Sequence, residues 1–283
     1  MNDGAVANQR KTYPPGVPCW VETLQPDPRA AVEFYSALFG WHGIGPGPMP
    51  DGGEYFVARL DGDDVAGIAT LPPGGIAEPA WTTYIRVDEL EMAVRRVLAA
   101  GGRVVVAPLD APPAGRIAIV EAPTGATFGL WEPVERAGAQ RINAPGAWAM
   151  SALRTPDVRS ALPFYTAVFG WVVEPFADAG AHGALLRLPG YVGGLPQQPV
   201  PRDVVAVAIQ DEQIDAEHWS VDFWIDDVNA AVKRVAQRAG AVIKRPFDAA
   251  IFRRAIIADP AGAIFSISQL VPERLASSRS HHG

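Results

Sequence analysis

The sequence predicts an α+β fold of two tandem domains, each a pair of βαβββ modules that join into one eight-stranded sheet. Three observations predict it. A sixteen-residue string occurs twice, a weaker strand-then-helix repeat follows inside each half, and short strands punctuated by turns come after each helix.

The string runs from Pro26 to Trp41 and returns from Pro156 to Trp171, identical at ten of sixteen positions at a constant offset of 130. One copy reads as a capped amphipathic helix: Asp27 suits the N-cap, Pro28 the first helical position and Gly40 a left-handed close. Ala31, Phe34, Tyr35, Leu38 and Phe39 fall at three- and four-residue spacing, so one face must be covered. The runs Cys19 to Leu24 and Ala149 to Arg154, bounded by Pro, read as strands feeding the two helices. Pro163, inside the second copy, is expected to kink its helix.

Trp81 to Val87 has strand character, and Asp88 is expected to cap a helix carrying Leu90, Val94, Val97 and Leu98, stopped by Gly101 and Gly102. Strands follow around Val104–Val106, Ile117–Val120 and Thr127–Trp131, the last entered through Pro123-Thr124-Gly125. The second half repeats the scheme with a strand from Trp219 to Ile225, a helix from Asp226 to about Ala239 and a final strand after Asp259-Pro260-Ala261-Gly262. The strands closing the first and third modules are placed at Val65–Leu71 and Tyr191–Leu195.

Residues 1–13 and 273–283 are polar and aperiodic and read as flexible tails. Between them lie domains at 14–134 and 146–272, joined by a linker at 135–145. At 283 residues and 48% hydrophobic composition, each domain can bury a core. The net charge of −7, with acids and bases interspersed, excludes a nucleic-acid or anionic-membrane surface. Cys19 is the single cysteine, so no intrachain disulfide forms, and no charged-then-apolar leader precedes the first strand. These features indicate a cytoplasmic protein, monomer or homodimer, with neither nucleic acid nor membrane as a partner.

The FYxxxFGW helix ends, the strand-Asp-helix signature at Val87-Asp88 and Ile225-Asp226, and the turns at Pro123-Thr124-Gly125 and Asp259 to Gly262 together resemble the vicinal oxygen chelate superfamily of glyoxalases, bleomycin-resistance proteins and extradiol dioxygenases. The resemblance covers roughly residues 17–272, and the PGVPCWVE opening and PTGATFGLWEP ending look like its tandem-domain, hydroxylase-like actinomycete branch. It implies a cupped sheet enclosing a cleft in each domain, with helices outside, and a divalent metal held by His, Gln or Glu from the first and last strands of paired modules. Carried onto this chain, the implied ligand positions are Trp20, Thr82 and Gly129 in the first domain and Met150, Ser220 and Ser266 in the second. None of these side chains suits such a metal. His42, His182, His218, His281 and His282 offer no compact substitute set, so no metal and no other cofactor is expected.

Strand alternation then populates the clefts. Trp20, Glu22, Leu24, Thr82, Tyr84, Arg86, Thr127, Gly129 and Trp131 face into the first; Met150, Ala152, Arg154, Ser220, Asp222, Trp224, Ile264, Ser266 and Ser268 face into the second. Glu22 and Arg86 either serve a ligand or simply pair across the sheet. Two functions fit. One is a metal-independent tailoring enzyme of secondary metabolism that hydroxylates, isomerises or cyclises an aromatic polyketide-like molecule, with Glu22 or Asp222 as acid/base. The other is a binding protein that sequesters such a molecule without chemistry. A metal-dependent glyoxalase or dioxygenase ranks third. The first cleft is favoured as the site, because Trp20, Tyr84 and Trp131 surround Glu22 there with stacking surface.

Overall fold

The computed structural model describes residues 13–49, 52–72, 78–178, 181–193, 201–249 and 251–271. In the first domain one module comprises β1 (Pro18–Gln25), α1 (Pro28–Phe39), β2 (His42–Pro48), β3 (Glu54–Leu60) and β4 (Asp63–Thr70). Its second module comprises β5 (Ala80–Arg86), α2 (Leu90–Ala99), β6 (Arg103–Ala111), β7 (Gly115–Glu121) and β8 (Thr127–Pro133). The second domain repeats them as β9 (Trp148–Thr155), α3 (Val158–Phe169), β10 (Val172–Asp178), β11 (Ala181–Arg187) and β12 (Val204–Gln210), then β13 (His218–Trp224), α4 (Val228–Gln237), β14 (Ala241–Ala249), β15 (Phe252–Ala258) and β16 (Ile264–Leu270).

Each domain is one eight-stranded mixed sheet, ordered β2-β3-β4-β1-β5-β8-β7-β6 and β10-β11-β12-β9-β13-β16-β15-β14. The first strands of the paired modules, β1 with β5 and β9 with β13, run antiparallel at the centre, each flanked in parallel by the last strand of its own module. Two modules thereby remove each other's open inner edge, which neither could cover alone.

The duplicated string forms α1 and α3 with matching caps. Asp27 accepts from the amides of Arg29 and Ala30, Asp157 from those of Arg159 and Ser160, and Gly40 and Gly170 close the helices at φ of 77° and 72°. α3 continues through Pro163, running from Val158 to Phe169. Burial of Ala161, Leu162, Phe164, Tyr165 and Val168 on that helix outweighs one missing backbone hydrogen bond.

Asp88 does not cap α2. It pairs with Arg86 at 2.6 Å, and the free amide of Leu90 is taken at 2.7 Å by Glu132 from β8. In the second domain Asp227, not Asp226, caps α4 through the amide of Ala230, and Gln269 of β16 stands where Glu132 does, accepting from Val228 N. The strand placed at Tyr191–Leu195 is instead β12 at Val204–Gln210, because residues 188–203 intervene between β11 and β12 where a two-residue turn joins β3 to β4. His182 belongs to β11 and is exposed.

The helices do lie outside both cups, but that outside is the domain interface. Tyr35, Phe39 and Trp41 from α1 and its end pack with Trp81 of β5 and with Phe223 and Phe265 of the other domain. The pseudo-equivalent Tyr165, Phe169 and Trp171 pack with Trp219, and with Phe128 of the first domain. Polar bonds cross as well: Trp41 Nε1 donates to Gly146 O, Trp171 Nε1 to Gly16 O, Tyr35 and Gln25 to Asp259, and the Thr83 and Ser151 hydroxyls meet at 2.6 Å. The repeated FYxxxFGW strings thus glue two sheets back to back, leaving the cupped faces pointing away from each other.

Tyr13, taken from sequence as the last residue of a tail, is buried and donates to Ala139 O at 2.7 Å. Residues 1–12 and 272–283, with His281 and His282, lie outside the described residues. The stretch read as a linker is laced onto the first domain: Arg141 pairs with Asp61 and Asp63, and Gln140 N donates to Asp64 O.

Candidate functional site

Registers across the central strands place the alternating residues in rows. Trp20 stands opposite Tyr84, Glu22 opposite Thr82 on one side and Gly67 on the other, and Tyr84 beside Gly129. Trp20, Glu22, Tyr84 and Trp131 therefore share the concave face of the first domain, as the alternation predicts.

In that cleft the side chains bond to one another. Tyr84 Oη donates to Glu22 Oε1 at 2.9 Å, and Tyr55 from β3, which alternation from the central strands did not reveal, bonds to the same carboxyl group. Trp20 Nε1 donates to Tyr55 Oη at 3.2 Å, and the Arg136 guanidinium lies over the Trp20 ring at 5.4 Å. Tyr84 and Trp131 meet edge to face at 6.3 Å. Of the two alternatives for Glu22 and Arg86, pairing across the sheet is not the one found, Arg86 being turned to Asp88. Gly129 explains the filling: a Cβ there would lie 2.1 Å from the Tyr84 ring, so the ring occupies the space an acidic ligand would use. Thr82 is buried beside Glu22.

Burial among these rings raises the Glu22 carboxyl above its ordinary range; hydrogen bonds from Tyr55 and Tyr84 and the Arg136 charge oppose but do not cancel this. A folded carboxyl with a raised pKa contributes stability that is complete below the unfolded value and is lost as pH rises through the folded one. Glu22→Gln removes that loss. Thermal scans of the variant and wild type are expected to show a Tm difference, variant minus wild type, that grows as pH rises from about 4 through the carboxyl range. A difference that stays flat or shrinks contradicts the buried, raised carboxyl.

The second cleft holds other residues in the same rows. Met150 stands opposite Asp222, Ala152 opposite Ser220 and Val207, and Asp222 beside Ser266. By register, Met150 replaces Trp20, Ala152 replaces Glu22, Gly183 replaces Tyr55, Asp222 replaces Tyr84 and Ser268 replaces Trp131. Each of these five exchanges shrinks the side chain, while Gly67 and Gly129 of the same rows become Val207 and Ser266. The result is a cavity of about 200 Å³ walled by Trp148, Met150, Tyr191, Trp224 and Phe252, with Ser220, Asp222, Arg254 and Ser268 as polar groups. Trp224 and Phe252 tilt together at 6.5 Å along one wall. Tyr13, Val17 and Pro18 of the first domain and Ile142 and Asn143 between the domains complete the lining.

Asp222 is fixed firmly. Its Oδ1 accepts from the hydroxyls of Ser266 and Ser268, the latter at 2.8 Å, and from Arg254 Nη2 at 3.0 Å, while Nη2 also reaches Ser266 Oγ at 3.1 Å. Ser220 is turned to the backbone, donating to Ala152 O. Arg154 lies beyond the cavity lining against Asp211 at 3.4 Å; burial, and then the like charge of Arg254, push its guanidinium pKa down. The structure thus brings Met150, Ser220, Asp222 and Trp224 together around open space, with Arg154 and Ser266 behind. Arg254 was missed. Its signal was the Arg253-Arg254 pair in the otherwise apolar β15, where alternation sends one arginine into the cleft.

The residues present do not fit the divalent metal that this fold family implies. Its positions carry an indole, a hydroxyl and a glycine covered by Tyr84 in one cleft, and a thioether and two hydroxyls in the other. Among the described residues no three His, Cys, Asp or Glu side chains converge.

Residues 20–130 match the family model described as the Glyoxalase/Bleomycin resistance protein/Dioxygenase superfamily, and residues 150–268 match that of the Glyoxalase-like domain. The chain is 36% identical over 272 residues to CFP32 of Mycobacterium bovis, named as a candidate glyoxylase, covering 94% of this chain and 99% of that one. It is 32% identical to the anthracycline biosynthesis protein DnrV of Streptomyces peucetius, covering 91% and 94%. Among solved structures, the Mn(II)-bound glyoxalase from Novosphingobium aromaticivorans superposes with a TM-score of 0.60 at 16% identity, covering 90% and 82%, a likeness of fold alone. Among the described residues no helix is long and apolar enough to cross a membrane.

Proposed function

The chain belongs to the glyoxalase/bleomycin resistance/dioxygenase superfamily, and from that premise we propose that it is a metal-independent tailoring enzyme of secondary metabolism whose second cleft binds a small aromatic polyketide-like molecule. The first domain serves as a scaffold whose own rings occupy the corresponding space.

The observation that carries this reading is the contrast between the clefts. Rows that hold Trp20, Glu22, Tyr55, Tyr84 and Trp131 in the first hold Met150, Ala152, Gly183, Asp222 and Ser268 in the second, and the cavity opens there. Aromatic and thioether walls suit a flat guest, while the Asp222 carboxylate and the guanidinium groups of Arg254 and Arg202 on the lining fix its orientation. The relative DnrV, an anthracycline biosynthesis protein, supports the substrate class. A non-catalytic binder is the second reading, favoured by the three donors that saturate Asp222 Oδ1.

A fluorescence titration with dihydroxyanthraquinone tests the location. Trp224→Ala is expected to weaken binding by about 1–3 kcal/mol, the usual cost of truncating a stacking aromatic, whereas Trp20→Ala leaves affinity close to wild type. The opposite pattern would return the site to the first cleft.

A further inference from the structure

We infer that the second cleft carries out proton abstraction next to a ketone: Asp222 Oδ2 removes a proton from the carbon beside the substrate carbonyl, and Arg254 holds the enolate oxygen that forms. This rests on the reading of that cleft as the ligand site and names the reaction.

The geometry of one ion pair carries it. All three bonds to Asp222 converge on Oδ1. Among the described residues none donates to Oδ2, and Asp222 lines the cavity. Among the described residues Arg254 likewise donates only from Nη2, and neither Nη1 nor the buried Nε has a partner there. An acceptor and a donor from one ion pair therefore stand without a described partner on two side chains that line the same cavity, whose other polar lining includes Arg202, Asn143 and Ser220. Ser266 and Ser268 prevent the carboxylate from rotating to use both oxygens on the protein.

The step balances without any co-reactant. The carbon–hydrogen bond breaks, its proton forms an O–H bond on Asp222 Oδ2, and the electron pair passes through the new carbon–carbon double bond to the carbonyl oxygen. Return of a proton to the same carbon, or to another carbon of the conjugated system, completes exchange or isomerisation. Negative charge moves from Asp222 to the substrate oxygen while both remain within reach of one guanidinium, so the cavity's net charge does not change. In surroundings of low polarity this exchange of partners is favoured over creating a new unpaired charge. Fixed donors aimed where charge develops cost no reorganisation during the reaction.

The substrate class follows: a planar or bicyclic aromatic ketone with a hydrogen on the carbon next to the carbonyl. The probe is 2-tetralone in D₂O, with loss of its C1 proton signal followed by NMR and binding followed by tryptophan fluorescence. Wild-type protein is expected to accelerate exchange over buffer. Asp222→Asn should bind the ketone yet exchange it about 10²-fold or more slowly, the scale of general acid–base catalysis. Arg254→Met should lower exchange by about 10²-fold, the scale of one lost oxyanion donor. Because the pair braces the cleft, circular dichroism accompanies each variant, and Ser268→Ala supplies a third, milder loosening of the carboxylate that should also slow exchange. Binding by wild type with exchange no faster than in buffer overturns the inference while leaving the site reading intact, as does wild-type exchange by both Asp222→Asn and Arg254→Met. Failure of 2-tetralone to bind overturns the site reading and the inference with it.

Discussion

Trp41→Ala is expected to lower global stability by about 3–5 kcal/mol, the range for deleting a large buried aromatic, and to do so for both domains in one transition. Trp41 is 1% exposed and touches both sides of the interface. It stacks on Tyr35 at 5.6 Å, meets Phe39 at 4.8 Å, and lies edge-on to Phe223 of the second domain at 5.5 Å. Its indole nitrogen also donates to Gly146 O at 2.6 Å, leaving that carbonyl without this donor once the ring is gone. Urea denaturation followed by circular dichroism would show the midpoint falling with a single transition. Two separate transitions, with the second domain unchanged, would contradict an interface built from the duplicated strings.

The duplication was legible because its signals are local. Caps, apolar spacing and the Gly closures lie within one stretch of chain, and the structure keeps Asp27, Gly40, Asp157 and Gly170 in those roles. Alternation along β1, β5, β9 and β13 also placed most cleft residues on the correct face. Where the reading failed, a partner distant in sequence decided the outcome. Glu132 reaches Leu90 N from another strand, releasing Asp88 for Arg86. Residues 188–203 displaced β12 from where spacing alone put it.

The role of the first cleft turns on distances across strands. Trp20, Tyr84 and Trp131 were read as a stacking surface, and their inward orientation was correct. Whether inward rings bind a guest or pack on one another depends on cross-strand distances and on glycines opposite them, and Gly67 and Gly129 admit the Tyr55 hydroxyl and the Tyr84 ring respectively. Tyr55, Arg136 and Arg254 come from β3, the segment after β8 and β15 respectively, outside the strands from which the clefts are read.

If the second cleft binds the ligand, filling it as the first cleft is filled should weaken that binding. Met150 lines the cavity at the row position that Trp20 occupies in the first domain. Met150→Trp should leave a folded protein and weaken dihydroxyanthraquinone binding by roughly 10²-fold, since a guest must then displace a ring at an overpacking cost of about 1–3 kcal/mol. The measurement is the dissociation constant of that variant by fluorescence titration, with circular dichroism confirming the fold. Binding about a hundredfold weaker is the predicted result; a folded Met150→Trp variant with the affinity of wild type would contradict the account.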